Sequence, residues 1–157
     1  MYPYFDADGI SVERLLAEWK WLLREDYGLV AINAFGDLFL KSAQGIFHRL
    51  DVSGGKIEQI ADSETEFQTL AAEPGKRNEW FLIDEEKKAA QKGFVPNKGQ
   101  CVGSKIPWVF KESATVRDNL VIADLYDYVS CMGDVFGQMQ DVPDGGKVRL
   151  RVGPRPK

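Results

Sequence analysis

The chain has 157 residues, 44% hydrophobic and 28% charged, enough for one domain that buries about 70% of the surface its unfolded form exposes. That balance excludes a disordered chain, and no apolar run reaches the ~18 residues of a membrane span. Residues 1–146 hold all 24 acids but only 15 of the 20 cations, a net −9, so the body of the protein repels nucleic acid and anionic membrane and suits a basic partner.

No cationic segment followed by an apolar core opens the N-terminus, so no signal peptide is expected. Cys101 and Cys131 are far apart without metal-like neighbours and read as reduced thiols of a cytoplasmic protein.

Ser11 is an N-cap candidate. After it Val12, Leu15, Leu16, Trp19, Leu22 and Leu23 recur at helical steps, which predicts an amphipathic helix over 11–26 stopped by Gly28. A β-meander is predicted over 29–60 in three runs. Leu29 to Phe35 continues into Asp37 to Lys41 across a Gly36-Asp37 kink or bulge; Ile46 to Val52 and Lys56 to Ile60 follow, joined by short Gly-containing turns. In the middle run Phe47, Arg49 and Asp51 share one face, and His48, Leu50 and Val52 the other.

Two helices are predicted within 63–92. Ser63 with Glu66 makes a capping box for the first, and Pro74-Gly75 ends it; the second runs from about Asn78 to Gln91, with Gly93 as its C-cap. Strands are predicted within 101–122, at Gln100 to Ser104, Trp108 to Phe110 and Leu120 to Ile122. Asp124 caps a last helix over 124–140 with the stripe Leu125, Tyr128, Val129, Met132, Val135, Phe136 and Met139. Lys147 to Val152 alternates as an edge strand does, and 153–157 is a basic tail. The fold class is therefore α+β: one domain, an antiparallel meander packed against four amphipathic helices.

The usual catalytic constellations are missing from the sequence. There is no GxSxG, HExxH, CxxC or phosphate-cradling GxxxxGK motif, and His48, the single histidine, lacks a second one for a dyad or metal site. No cofactor or metal is expected. An enzyme would need a buried carboxylate cluster centred on His48 or Cys101. A small-molecule-binding or regulatory module would use a groove beside the meander lined by Trp19, Trp80 or Trp108.

The blocks AFGDLFL, GIFHRLDVSGGKIEQIADSETEF, EWFLID, GQCVG, Asp118-Asn119 before an apolar strand, and VPDGGKVRLRV form an ordered series. Together they resemble the C-terminal domain of bacterial type VI secretion immunity proteins, and are more distantly similar to the SUKH immunity superfamily with its S-x-x-E-F-x-x-L helix, here Ser63 to Leu70. The resemblance spans roughly residues 17–152. Longer relatives carry a GAD-like domain before this one, whereas only about sixteen residues precede the match here. The resemblance implies a SUKH-like fold and a non-catalytic cytoplasmic protein that neutralises a cognate secreted toxin, of the DNase effector kind, by direct binding. Charge then marks Asp62, Glu64 and Glu66 on one helix and Asp84, Glu85 and Glu86 on the next as the contacts expected for a basic toxin.

Overall fold

Apolar residues alternate along four consecutive strands so that both faces of one sheet are hydrophobic. In the computed structural model, which describes residues 7–151, these strands are β1 (Tyr27–Ile32), β2 (Leu38–Ser42), β3 (Phe47–Asp51) and β4 (Lys56–Ala61). They pair antiparallel in chain order. Ile32, Leu38, Leu40, Leu50 and Val52 enter one core, completed by α1 (Val12–Leu16) and α5 (Leu125–Gln138). Ala31, Phe39, Phe47 and Ala61 enter a second, completed by α2 (Glu64–Ala72) and α3 (Pro74–Phe81). α4 (Ile83–Gln91) follows, and a two-stranded sheet of β5 (Gln100–Ser104) and β6 (Leu120–Asp124) leads into α5. The fold is α+β, with helices on both faces of the meander.

The two main cap signals are present: Ser63 Oγ accepts from Glu66 N at 3.1 Å, and Asp124 Oδ1 accepts from Asp127 N at 3.0 Å. Gly93, with φ 91°, ends α4 in a Schellman arrangement: its N–H donates to Ala90 O and that of Phe94 to Ala89 O, each at 3.0 Å.

Leu29 to Phe35 and Asp37 to Lys41 are two paired strands, not one kinked run, so the meander has four strands. The chain reverses at Asn33–Asp37, where Gly36 takes φ 87° and its N–H donates to Asn33 O. The bulge lies instead between Leu29 and Ala31.

The N-terminal helix is five residues long and tightens into a 3-10 turn at Ala17–Trp19. Trp19 Nε1 donates to Val129 O at 2.8 Å and Trp21 Nε1 to Gly133 O at 3.1 Å. Residues two apart on an α-helix do not face the same way. Anchoring both indoles on α5 therefore unwinds the segment predicted to continue to 26.

Between 63 and 92 there are three helices, giving five α-helices among the described residues. Pro74 starts α3 rather than ending α2, since a first-turn proline loses no helical hydrogen bond. Leu82, left-handed at φ 51°, separates α3 from α4. The Asn78 side chain spans that break, accepting from Asp84 N and donating to Asp84 Oδ2, each at 3.0 Å.

Trp108 to Phe110 is not a strand. Phe110 N–H turns back to Pro107 O at 3.0 Å, and a 3-10 turn, Lys111–Thr115, follows. Lys147 to Arg151 is not a strand either: Arg151 N–H donates to Gln138 Oε1 at 2.8 Å and Arg151 O accepts from Gln138 Nε2 at 3.1 Å. One side-chain amide thus replaces a ladder. Val152 and the basic tail 153–157 lie outside the described residues.

Candidate functional site

A half-open cleft of about 700 Å³ lies at the end of the meander where β2 begins and β3 ends. Its floor begins with the β1–β2 turn. Asn33 Oδ1 accepts from the N–H groups of Phe35 and Asp37 at 3.0 and 3.1 Å, which fixes the turn. Asn33 Nδ2 donates to Asp37 Oδ2 at 2.9 Å and to Trp80 O at 3.1 Å, tying the turn to α3. Asp37 then accepts from Val52 N at 3.0 Å and from Arg49 Nη2 at 2.9 Å.

One step beyond the Leu38–Leu50 register pair, Asp51 comes opposite Asp37, with Arg49 on the diagonal. One guanidinium therefore stands among three acids, its Nη1 also 3.7 Å from Glu58 Oε1. Burial lowers the Arg49 pKa, but Asp37, Asp51 and Glu58 outweigh it, and the guanidinium ends above its ordinary value. Burial, and then the nearby Asp37 charge, push the Asp51 carboxyl above the usual aspartate range against the pull of Gly54 N–H, Arg49 and Lys56. A Cβ on Gly54 would overlap the Asp51 carboxylate, so a side chain there would displace that group.

The walls come from α4 and from the connection between β5 and β6. Leu82, Glu85, Ala89 and Lys92 recur at helical steps and turn one side of α4 to the cleft. Asn119 clamps the base of the opposite wall, accepting from Ile106 N and donating to Ile106 O, both at 2.8 Å. The clamped segment presents Trp108, 50% exposed, and also lines the cleft with Arg117 and Asp118.

The predicted toxin contacts divide between α2 and α4, the latter packed against the second core through Ile83. Asp62, Glu64, Glu66, Asp84 and Glu85 are exposed, and Glu86 is half-buried, its carboxyl pushed up by burial. Asp62 accepts from Gln59, Glu64 pairs with Lys41 at 3.5 Å, and Glu85 pairs with Lys88 at 3.1 Å. Asp84 is engaged by Asn78, and Glu85 alone of the six lines the cleft.

Of the three tryptophans expected to line a groove, only Trp108 does. Trp19 and Trp80 are core residues, 0% and 2% exposed, on opposite faces of the sheet. His48 and Cys101 have different surroundings. His48 sits edge-on to Tyr27, ring centroids 5.6 Å apart, and its Nδ1 is buried with no hydrogen bond among the described residues. Cys101 is buried behind Gly36 with its thiol pushed up to about 12 by burial, Asp124 and Asp37, so it stays protonated at neutral pH and is a poor nucleophile. Among the described residues no three His, Cys, Asp or Glu side chains are grouped to hold a metal ion.

Asp37, Arg49, Asp51, Arg117 and Asn119 were not singled out as site residues by the sequence. A signal existed for the first three. The Ser42–Ile46 turn fixes the β2–β3 register, and that register places two acids opposite each other with an arginine between them. No protein-family model matches the chain, and comparison with curated proteins returns no match.

Proposed function

We propose that the protein is a non-catalytic, immunity-type binding protein that neutralises a basic secreted toxin, of the DNase effector kind, by direct association in the cytoplasm. The observation that carries this reading is the outward display of acids on one helical layer. Asp62, Glu64 and Glu66 at the start of α2, and Asp84 and Glu85 at the start of α4, are all exposed. Phe67, Trp80 and Phe81, on α2 and α3 of the same layer, form the core beneath. An acidic surface carried on packed helices steers a cationic partner and speeds its association. The ordered sequence blocks supply the immunity resemblance, and an α+β fold with helices on both sheet faces accommodates a SUKH-like relationship. No helix among the described residues is long and apolar enough to cross a membrane.

The reading is tested by co-expressing the protein with the toxin encoded beside it. Restored growth together with co-purification is the expected outcome. Continued toxicity with no complex overturns it.

A further inference from the structure

The cleft has a charge pattern that the acidic helical surface does not share. Two of its pairs are internally satisfied, Asp37 with Arg49 and Glu85 with Lys88. Setting these aside leaves two acids, Asp51 and Asp118, and two cations, Lys92 and Arg117, which form no ion pair within 4 Å among the described residues. Asp51 Oδ1 accepts from Gly54 N at 2.9 Å, and no hydrogen bond to its other oxygen is found among the described residues. Asp51 lies on the floor with the sheet, whereas Lys92 lies on one wall and Arg117, with Asp118 next to it in the chain, on the other. Between them are apolar surfaces of Phe35, Leu82, Val102 and Val116. Trp108 is one of three exposed large hydrophobic residues among those described, and it lines this cleft.

A ligand of a single charge sign suits this arrangement badly. An anion on Lys92 and Arg117 would leave the half-buried Asp51 unpaired, and a cation on Asp51 would leave the two wall cations without a partner. A dipolar ligand pairs Asp51 and the two cations, and leaves the exposed Asp118 in water. Its volume of about 700 Å³ lies within the usual range for pockets that enclose a drug-sized molecule, and exceeds what one free amino acid fills. An exposed indole adds a face on which an apolar or aromatic side chain can stack.

We propose that this cleft binds a short peptide of a few residues with free termini, its ammonium on Asp51, its carboxylate between Arg117 and Lys92, and an apolar or aromatic side chain against Trp108. The site is separate from the α2 acids and shares only Glu85 with the expected toxin contacts, so the cleft variants below leave the α2 acids untouched. The ion pairs and the stacking face divide the recognition: the charges set which ends are accepted, and the apolar wall sets which side chain.

The test is calorimetric titration of the full chain with the tripeptides Phe-Ala-Phe and Leu-Ala-Leu, and with their N-acetylated and C-amidated forms. The free peptides bind, and blocking either end weakens binding by at least about tenfold, as loss of a charged hydrogen bond does. Asp51→Asn and Arg117→Gln each weaken the free peptide to a similar extent and lose their effect on the form blocked at the matching end. Trp108→Ala weakens all forms. Asp51, Arg117 and Trp108 are at least partly exposed, so the variants fold, and circular dichroism checks this. Glu64→Lys, outside the cleft, leaves peptide binding unchanged while weakening toxin association. No binding of either free peptide at millimolar concentration, or equal binding of free and blocked forms, overturns the proposal.

Discussion

Arg49 Nη2 lies 2.9 Å from Asp37 Oδ2, and the two side chains are only 12% and 3% exposed. Through that carboxylate the pair joins the β1–β2 turn at Asn33 to the end of β3 at Val52. Asn33 carries the connection on to the Trp80 carbonyl of α3. A buried pair of this kind adds little net stability over an apolar replacement, yet leaving one member alone is costly.

Asp37→Ala removes the partner of a buried guanidinium whose Nε already lacks a hydrogen bond among the described residues. It also strips the acceptor from Val52 N–H. The expected loss is ~3–5 kcal/mol in denaturant unfolding. Adding Arg49→Met to that variant recovers a substantial part of the loss. Equal stability of the single and double variants would show that the guanidinium, once unpaired, escapes to water.

Gly133 lies where α5 meets the N-terminal segment. A Cβ there would stand 2.8 Å from Glu18 O and 2.8 Å from Trp19 Nε1. Trp19 cannot yield easily, because its indole N–H is held by Val129 O. Gly133→Ala therefore destabilises by ~1–3 kcal/mol of overpacking, against a helix-propensity gain of ~1 kcal/mol. Thermal unfolding reads the net sign.

Asp51 gives the protein a pH signature. The folded state holds this proton more tightly than the unfolded chain does, because burial and Asp37 raise the pKa. The group's contribution is fully present below 3.8, its ordinary value, and is lost as pH rises through the raised folded value. Asp51→Asn keeps an acceptor for Gly54 N–H and removes the penalty. The variant is expected to melt above the parent at neutral pH, with the difference closing in acid below that ordinary value. Melting curves across pH provide the check.

The two thiols should differ sharply. Cys131 is exposed, though burial of its sulfur and the neighbouring Asp134 raise its pKa; Cys101 is 0% exposed with its thiol near 12. A thiol reagent should modify one cysteine per native chain, slowly at neutral pH and faster in base, and the second only on unfolding.

Elements whose signals are local were legible in the sequence. Ser63 and Asp124 cap helices, and Gly93 ends one, because each acts on neighbours within a turn. The misread segments depend on distant partners. The N-terminal helix stops early because Trp19 and Trp21 bond to α5, more than 100 residues away. Asp37 at the head of β2 looked like bulge chemistry, yet its carboxylate is satisfied by Arg49 and Val52 across the hairpin. Of the site, the charges of α2 and α4 were readable from composition alone. The cleft was not, because it is assembled from the floor, α4 and the Asn119-clamped segment, which are separated along the chain.

On the proposed reading, the exposed acids of α2 and α4 take up a basic toxin. The most direct measurement is the affinity and association rate of the purified protein with the toxin encoded beside it, at low and high salt. The same titration is run for a variant carrying Glu64→Lys, Glu66→Lys, Asp84→Lys and Glu85→Lys. The account predicts a complex whose association slows as salt rises and which the reversed variant, still folded, forms far more weakly. No complex with the parent protein, or equal affinity and rate for the reversed variant, would contradict it.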